Sequence, residues 1–166
     1  MMTDATKTGK ATRMRLLLID DDPVVTEILR MRIAQSCPMV EASAVSEPVA
    51  PPGHDIYVID INFAGRQEGV RLAETIFATS PDAAIFVLSS FLEVDVLKRA
   101  MGLQCRGAFD KRNPDDIDAL MRAIAEEAVR AMAEPANEPP LGRGLLGDMA
   151  ALIREWNRRI SAEQSR

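Results

Sequence analysis

The chain has 166 residues, of which 47% are hydrophobic and 27% charged, and a formal net charge of −5. That length predicts one domain, the apolar content excludes a disordered chain, and no run approaches the roughly 18 apolar residues of a membrane span. Two distant cysteines, Cys37 and Cys105, and a single histidine, His54, exclude a disulfide scaffold and leave too few soft ligands for zinc or iron.

The basic N-terminus has no apolar core before Leu16, so it does not read as a secretory signal; a cytoplasmic protein with reduced thiols is expected. Charge is unevenly spread. Residues 1–15 carry a net charge of about +3 and residues 142–166 about +2, leaving roughly ten net negative charges in the middle. Such a middle argues against a nucleic-acid surface and directs attention to a cation site.

The chain reads as a basic tail (1–14), an alternating strand and helix region (15–132), a Pro/Gly linker (133–144) and a C-terminal amphipathic helix (145–166). Leu16 to Ile19 is a short buried strand, followed by a helix with Asp22 as N-cap and Pro23 in its first position. A second strand is expected over Met39 to Ala44. Three prolines between Ser46 and Gly53 allow at most one distorted helical turn there.

Ile56 to Ile59 is a strong buried strand ending on Asp60, and the spacing from Gly69 through Phe77 predicts a helix. Ala84 to Leu88 ends on Ser89 and Ser90, with a helix expected from Val94. A short strand at Gly107 to Phe109 stops just before Lys111, and Pro114 opens a long helix reaching Met132. Cys37, Cys105 and Met31 are read as apolar packing, and His54 as a loop residue. This alternation specifies a doubly wound five-stranded parallel sheet with helices on both faces, whose ligand site lies at the carboxyl ends of the strands.

Those ends carry the functional signal: Asp20 and Asp21, Asp60, Ser89, and Lys111. One such residue would be ordinary turn chemistry. Gathered on one rim, three carboxylates require a cation, and a hard ion such as Mg²⁺ would leave positions for phosphate oxygens. Lys111 adds fixed positive charge and Ser89 a hydroxyl donor, both suited to a phosphoryl group.

The segments LLLIDDDP, VIDIN, FVLSS and GAFDK, in this order and spacing, resemble the response-regulator receiver domain of two-component phosphorelays over roughly Arg15 to Met132. The resemblance implies a flavodoxin-like (βα)5 fold. It implies Asp60 as phosphoacceptor, Asp20 and Asp21 as the acidic pair holding Mg²⁺, and the backbone carbonyl of Asn62 as a further ligand. Ser89 would be the switch hydroxyl and Lys111 the phosphate-contacting lysine. The phosphoryl donor would be a histidine kinase or a histidine phosphotransfer protein, and the chain would be a signalling acceptor rather than an enzyme. DINFAGRQEGVRLA resembles the family's loop and following helix, with Gly69 opening the helix.

Two departures stand out. Arg112 and Asn113 follow the lysine where the family commonly has proline, so no cis bond is inferred. Ala108 occupies the family's aromatic position, Phe109 falls on the opposite strand face, and Phe91 is a candidate substitute.

Asp20-Asp21-Asp22-Pro23-Val24 is also similar to the nucleophile motif of haloacid-dehalogenase-like phosphatases, which would make Asp20 the nucleophile and Asp115-Asp116 the last acidic pair. That reading leaves Asp60 unexplained. A further alternative is a pseudo-receiver that takes no phosphate and acts as an interaction module. Residues after the linker are too few for a winged-helix output domain. The stripe Leu145, Leu146, Met149, Leu152, Ile153, Trp156 and Ile160 would dimerise, dock back on the region 15–132 or bind another protein; protein contact is the favoured expectation, with a homodimer through this helix or the receiver face as its specific form, while Arg154, Arg158 and Arg159 make a poor nucleic-acid footprint.

Overall fold

The computed structural model describes residues 13–63, 65–90 and 94–133. The basic tail, nearly all of the linker, the expected C-terminal helix with its dimerisation stripe, and Phe91 lie outside the described residues.

The elements follow chain order as β1 (Met14–Ile19), α1 (Pro23–Ser36), β2 (Val40–Val45), β3 (Ile56–Asp60), α2 (Glu68–Thr79), β4 (Ala84–Ser89), α3 (Val94–Gly102), β5 (Gly107–Asp110) and α4 (Pro114–Ala133). The five strands form one sheet in the order β2-β1-β3-β4-β5, with every pair parallel. From β1 the chain steps outward to β2 and then returns past β1 to β3. The direction of winding therefore reverses between β1 and β3, and a crevice opens at their carboxyl ends.

Both faces of the sheet are covered over its inner strands, which is why β1, β3 and β4 carry apolar runs without alternation, whereas the edge strand β2 is exposed or half-buried after Val40. Leu17, Ile19, Tyr57, Ile59, Ile85 and Val87 point to one face and pack against Val70, Ala73 and Ile76 of α2 and Leu97 and Ala100 of α3. Their neighbours Leu16, Leu18, Ile56, Val58, Phe86 and Leu88 point to the other, against Leu29 and Ile33 of α1 and Leu120, Ile124 and Ala128 of α4. Each Leu, Ile, Val or Phe among them contributes about 1.5–3 kcal/mol when fully buried.

Helix α1 begins as its sequence predicts: Asp22 Oδ1 accepts from the amides of Val24 and Val25 at 2.9 and 3.2 Å, and Pro23 supplies the first turn. Its inward face is Thr26, Leu29 and Ile33. The 3.6-residue period therefore turns Val24, Ile28 and Met31 outward, and Met31, expected in the core, is 49% exposed. Cys37 and Cys105 are buried as expected.

Residues 46–55 cross from β2 to β3 without a helix, in keeping with their prolines. Polar anchors hold this crossover in place of helix packing. Tyr57 donates its hydroxyl to the Pro51 carbonyl at 3.0 Å, and Asp55 Oδ2 accepts the Arg15 amide at 2.7 Å.

Candidate functional site

The strand register decides which polar residues meet. Ile19 pairs with Ile59, so Asp20 and Asp60 leave their strands side by side at the point where winding reverses; Asp60 pairs with Leu88, and Ser89 with Asp110. Strands about 4.8 Å apart thus deliver Asp20, Asp60, Ser89 and Lys111 to one rim.

Carboxylate oxygens of Asp20, Asp21 and Asp60 lie within 4.8 Å of one another, with Asp20 and Asp60 buried and Asp21 exposed. Lys111 reaches between them. Its Nζ donates to Asp60 Oδ2 at 2.7 Å and makes an ion-pair contact of 2.6 Å with Asp20 Oδ2. Asn62 ties the remaining members together: its backbone amide donates to Asp60 Oδ1 at 3.1 Å, and its Nδ2 donates to the fully buried Ser89 Oγ at 3.2 Å. All six residues singled out in the sequence therefore belong to one cluster.

Charge in this cluster is finely opposed. Burial raises the Asp60 carboxyl above the ordinary range, and the charge of Asp20 adds to this, while Lys111 and the Asn62 amide pull it back down. For Lys111 burial acts downward, but contact with Asp20 and Asp60 outweighs it and holds the ammonium above the usual lysine range. One lysine thus serves two buried carboxylates.

Asp20 Oδ1 accepts the Asp22 amide at 2.9 Å, whereas buried Oδ2 has no aligned hydrogen-bond partner despite its nearness to the ammonium. An all-oxygen donor set of three carboxylates with one ammonium between them fits a hard divalent cation such as Mg²⁺ and does not fit a soft metal.

The loop after Asp60 is shaped by glycine. Phe63 and Arg66 exchange backbone hydrogen bonds of 2.9 and 2.8 Å across a turn with Gly65 at φ +76°. Helix α2 begins at Glu68 rather than at Gly69. The role of Gly69 is close approach: a Cβ there would lie 1.9 Å from the Asp60 carbonyl oxygen.

Asp116 was not anticipated as a structural element. It is 4% exposed, and its carboxylate accepts the Asp110 amide at 2.8 Å and Asn113 Nδ2 at 3.1 Å. Acids in a first helical turn are common, so its sequence position alone did not mark it. Two observations disfavour the phosphatase reading, whose motif pairs Asp20 with an aspartate two residues on: Asp116 is engaged at the β5–α4 junction, and Asp22 caps α1.

The expected split of Ala108 and Phe109 is present. Ala108 packs with the α2 and α3 side of the sheet, while Phe109 lies on the other side, 6.2 Å from the Phe86 ring. The Cys105 thiol is pushed up to about 12 by burial, which removes it as a nucleophile.

Together these features define a doubly wound α/β protein with a carboxylate and lysine cluster at its topological switch point. No family model and no curated protein matches the sequence. Solved structures do match, among them receiver domains of response regulators. A response regulator receiver protein from Pseudoalteromonas atlantica superposes with a TM-score of 0.62 at 14% identity, covering 70% of this chain and 98% of that one. A CheY-like receiver domain protein from Methanospirillum hungatei gives 0.60 at 13% identity, covering 72% and 98%. The BeF3-activated receiver domain of DrrB gives 0.60 at 11% identity, covering 69% and 97%. The fold of this chain is that of a response-regulator receiver domain. Among the described residues, no helix is long and apolar enough to cross a membrane.

Proposed function

We propose that this chain is a phosphorelay response regulator whose Asp60 accepts a phosphoryl group from phosphohistidine on a kinase or phosphotransfer protein. The observation that carries this reading is Lys111 Nζ bridging Asp60 at 2.7 Å and Asp20 at 2.6 Å at the switch point of a receiver fold. A carboxylate oxygen of Asp60 attacks phosphorus, the P–N bond to imidazole breaks, and imidazole leaves with the bonding pair. Water later attacks the acyl phosphate, returning the carboxylate and inorganic phosphate.

Asp20, Asp21, Asp60 and the Asn62 backbone carbonyl would hold Mg²⁺, which when bound supplies charge neutralisation for the phosphoryl oxygens. Lys111 already sits against Asp60 and needs little movement to meet a phosphoryl oxygen. Ser89 Oγ, which accepts from Asn62 Nδ2, would turn its own hydroxyl hydrogen to a phosphoryl oxygen, and this would draw the end of β4 inward and couple chemistry to the following loop. The signal is then read through protein contact. A chain that changes partners when phosphorylated is a stoichiometric acceptor and not a turnover enzyme.

The test is NMR of the full chain with Mg²⁺ and beryllofluoride. Shifts centred on Asp60, Ser89 and Lys111, absent in Asp60→Asn, are expected. An unchanged spectrum, or the same shifts in Asp60→Asn, would overturn the reading.

A further inference from the structure

We infer that Asp116 is a positioning residue for Lys111. The inference builds on the proposed role of Lys111 at the phosphoacceptor. A lysine side chain is long and flexible, so the placement of its ammonium depends on how firmly its backbone is held. No proline stiffens the turn after β5, where Arg112 and Asn113 follow the lysine.

Carboxylates do that work instead. Asp110 Oδ1 accepts the Arg112 amide at 2.8 Å, and Asp116, reaching back from the first turn of α4, accepts the Asp110 amide at 2.8 Å and Asn113 Nδ2 at 3.1 Å. One buried carboxylate thus grips the residue just before Lys111 and the residue two beyond it. Asn113 Oδ1 in turn caps α4 by accepting the Asp115 amide at 3.0 Å, so the turn and the helix are fixed together. On the strand side, the Lys111 amide donates to the Ser89 carbonyl at 3.0 Å, which fixes the height of the lysine above β4.

The experiment measures acylation of individual lysines in the metal-free full chain with an amine-reactive reagent, read by mass spectrometry. Exposed Lys98 serves as the internal standard. In the wild type, Lys111 should be protected by its two carboxylates. Asp116→Ala should raise Lys111 labelling relative to Lys98 by about fivefold, and Asp116→Asn, which keeps an oxygen for the Asp110 amide but sets an NH2 group against the Asn113 Nδ2 donor, should raise it by less, about twofold.

The kinetic counterpart uses acetyl phosphate and Mg²⁺. Asp116→Ala should slow phosphorylation about tenfold, and should slow it less than about twofold further in a Lys111→Ala background. Unchanged Lys111 labelling in folded Asp116→Ala, or equal slowing in both backgrounds, would overturn the inference. If Asp116→Ala does not fold, Asn113→Ala carries the test with about a threefold rise in labelling, and no rise overturns it. Failure of the wild type to accept phosphate, with the labelling changes intact, would instead remove the proposed function and leave the positioning role standing.

Discussion

Two buried carboxylate sites bear on Lys111, one against its ammonium and one at its turn, and they are built in opposite ways. At Asp116 both oxygens receive a hydrogen bond and the group braces a turn. At Asp20 and Asp60 two buried acids share one ammonium, and Asp20 Oδ2 lacks an aligned donor. A fully satisfied buried acid stabilises its surroundings, whereas a partly satisfied cluster holds free energy that a cation or a phosphoryl group can release. The first kind of site is structural, and the second is the kind the proposed function requires.

The largest effect should come from Lys111→Ala, which leaves two acids buried without their counter-ion. Urea unfolding of the metal-free protein should show a loss of about 3–5 kcal/mol, partly recovered by millimolar Mg²⁺. Next is Gly69→Ala, whose methyl group would collide with the Asp60 carbonyl. A loss of about 3 kcal/mol in the same assay is expected, with phosphorylation impaired because the Asp60 backbone must shift.

Asp116→Ala should cost about 2 kcal/mol, since the Asp110 amide loses its acceptor in a buried place. Asp60→Asn should do the reverse and leave the metal-free protein unchanged or up to about 1 kcal/mol more stable. A loss of stability in Asp60→Asn equal to that of Asp116→Ala would erase the distinction between the two sites.

The pH dependence sharpens the same contrast. Asp60 holds its proton more tightly folded than unfolded, because burial raises its carboxyl. Its contribution to stability therefore falls as pH rises from the ordinary carboxylate range through the raised value, and Asp60→Asn should remove that slope from urea midpoints measured without metal. Lys111, also raised, contributes fully below the ordinary lysine range and loses its contribution only as pH rises through its higher folded value.

Much of this was legible in the sequence because parallel strands buried on both faces write themselves as continuous apolar runs, and their polar terminators mark one rim. Asp20, Asp60, Ser89 and Lys111 were readable for that reason, as was the opposite-face placement of Phe109. Asp116 was not. Its burial depends on how tightly the Asp110–Asn113 turn folds back, which no periodicity reports. Gly69 was readable as a helix start but not as a contact, since the approach of α2 to the Asp60 carbonyl is tertiary. Met31 shows the limit of helical spacing: α1 carries apolar residues on both its faces, and only packing selects the inner one.

The central claim is that the Asp60 carboxylate is the nucleophile for phosphoryl transfer. Incubating the full chain with acetyl phosphate and Mg²⁺, and mapping the modified residue by mass spectrometry, tests it most directly. One phosphoryl group on Asp60, dependent on Mg²⁺ and lost in Asp60→Asn, is the predicted result. A label on Asp20, a label that persists in Asp60→Asn, or no label on the folded protein would contradict it.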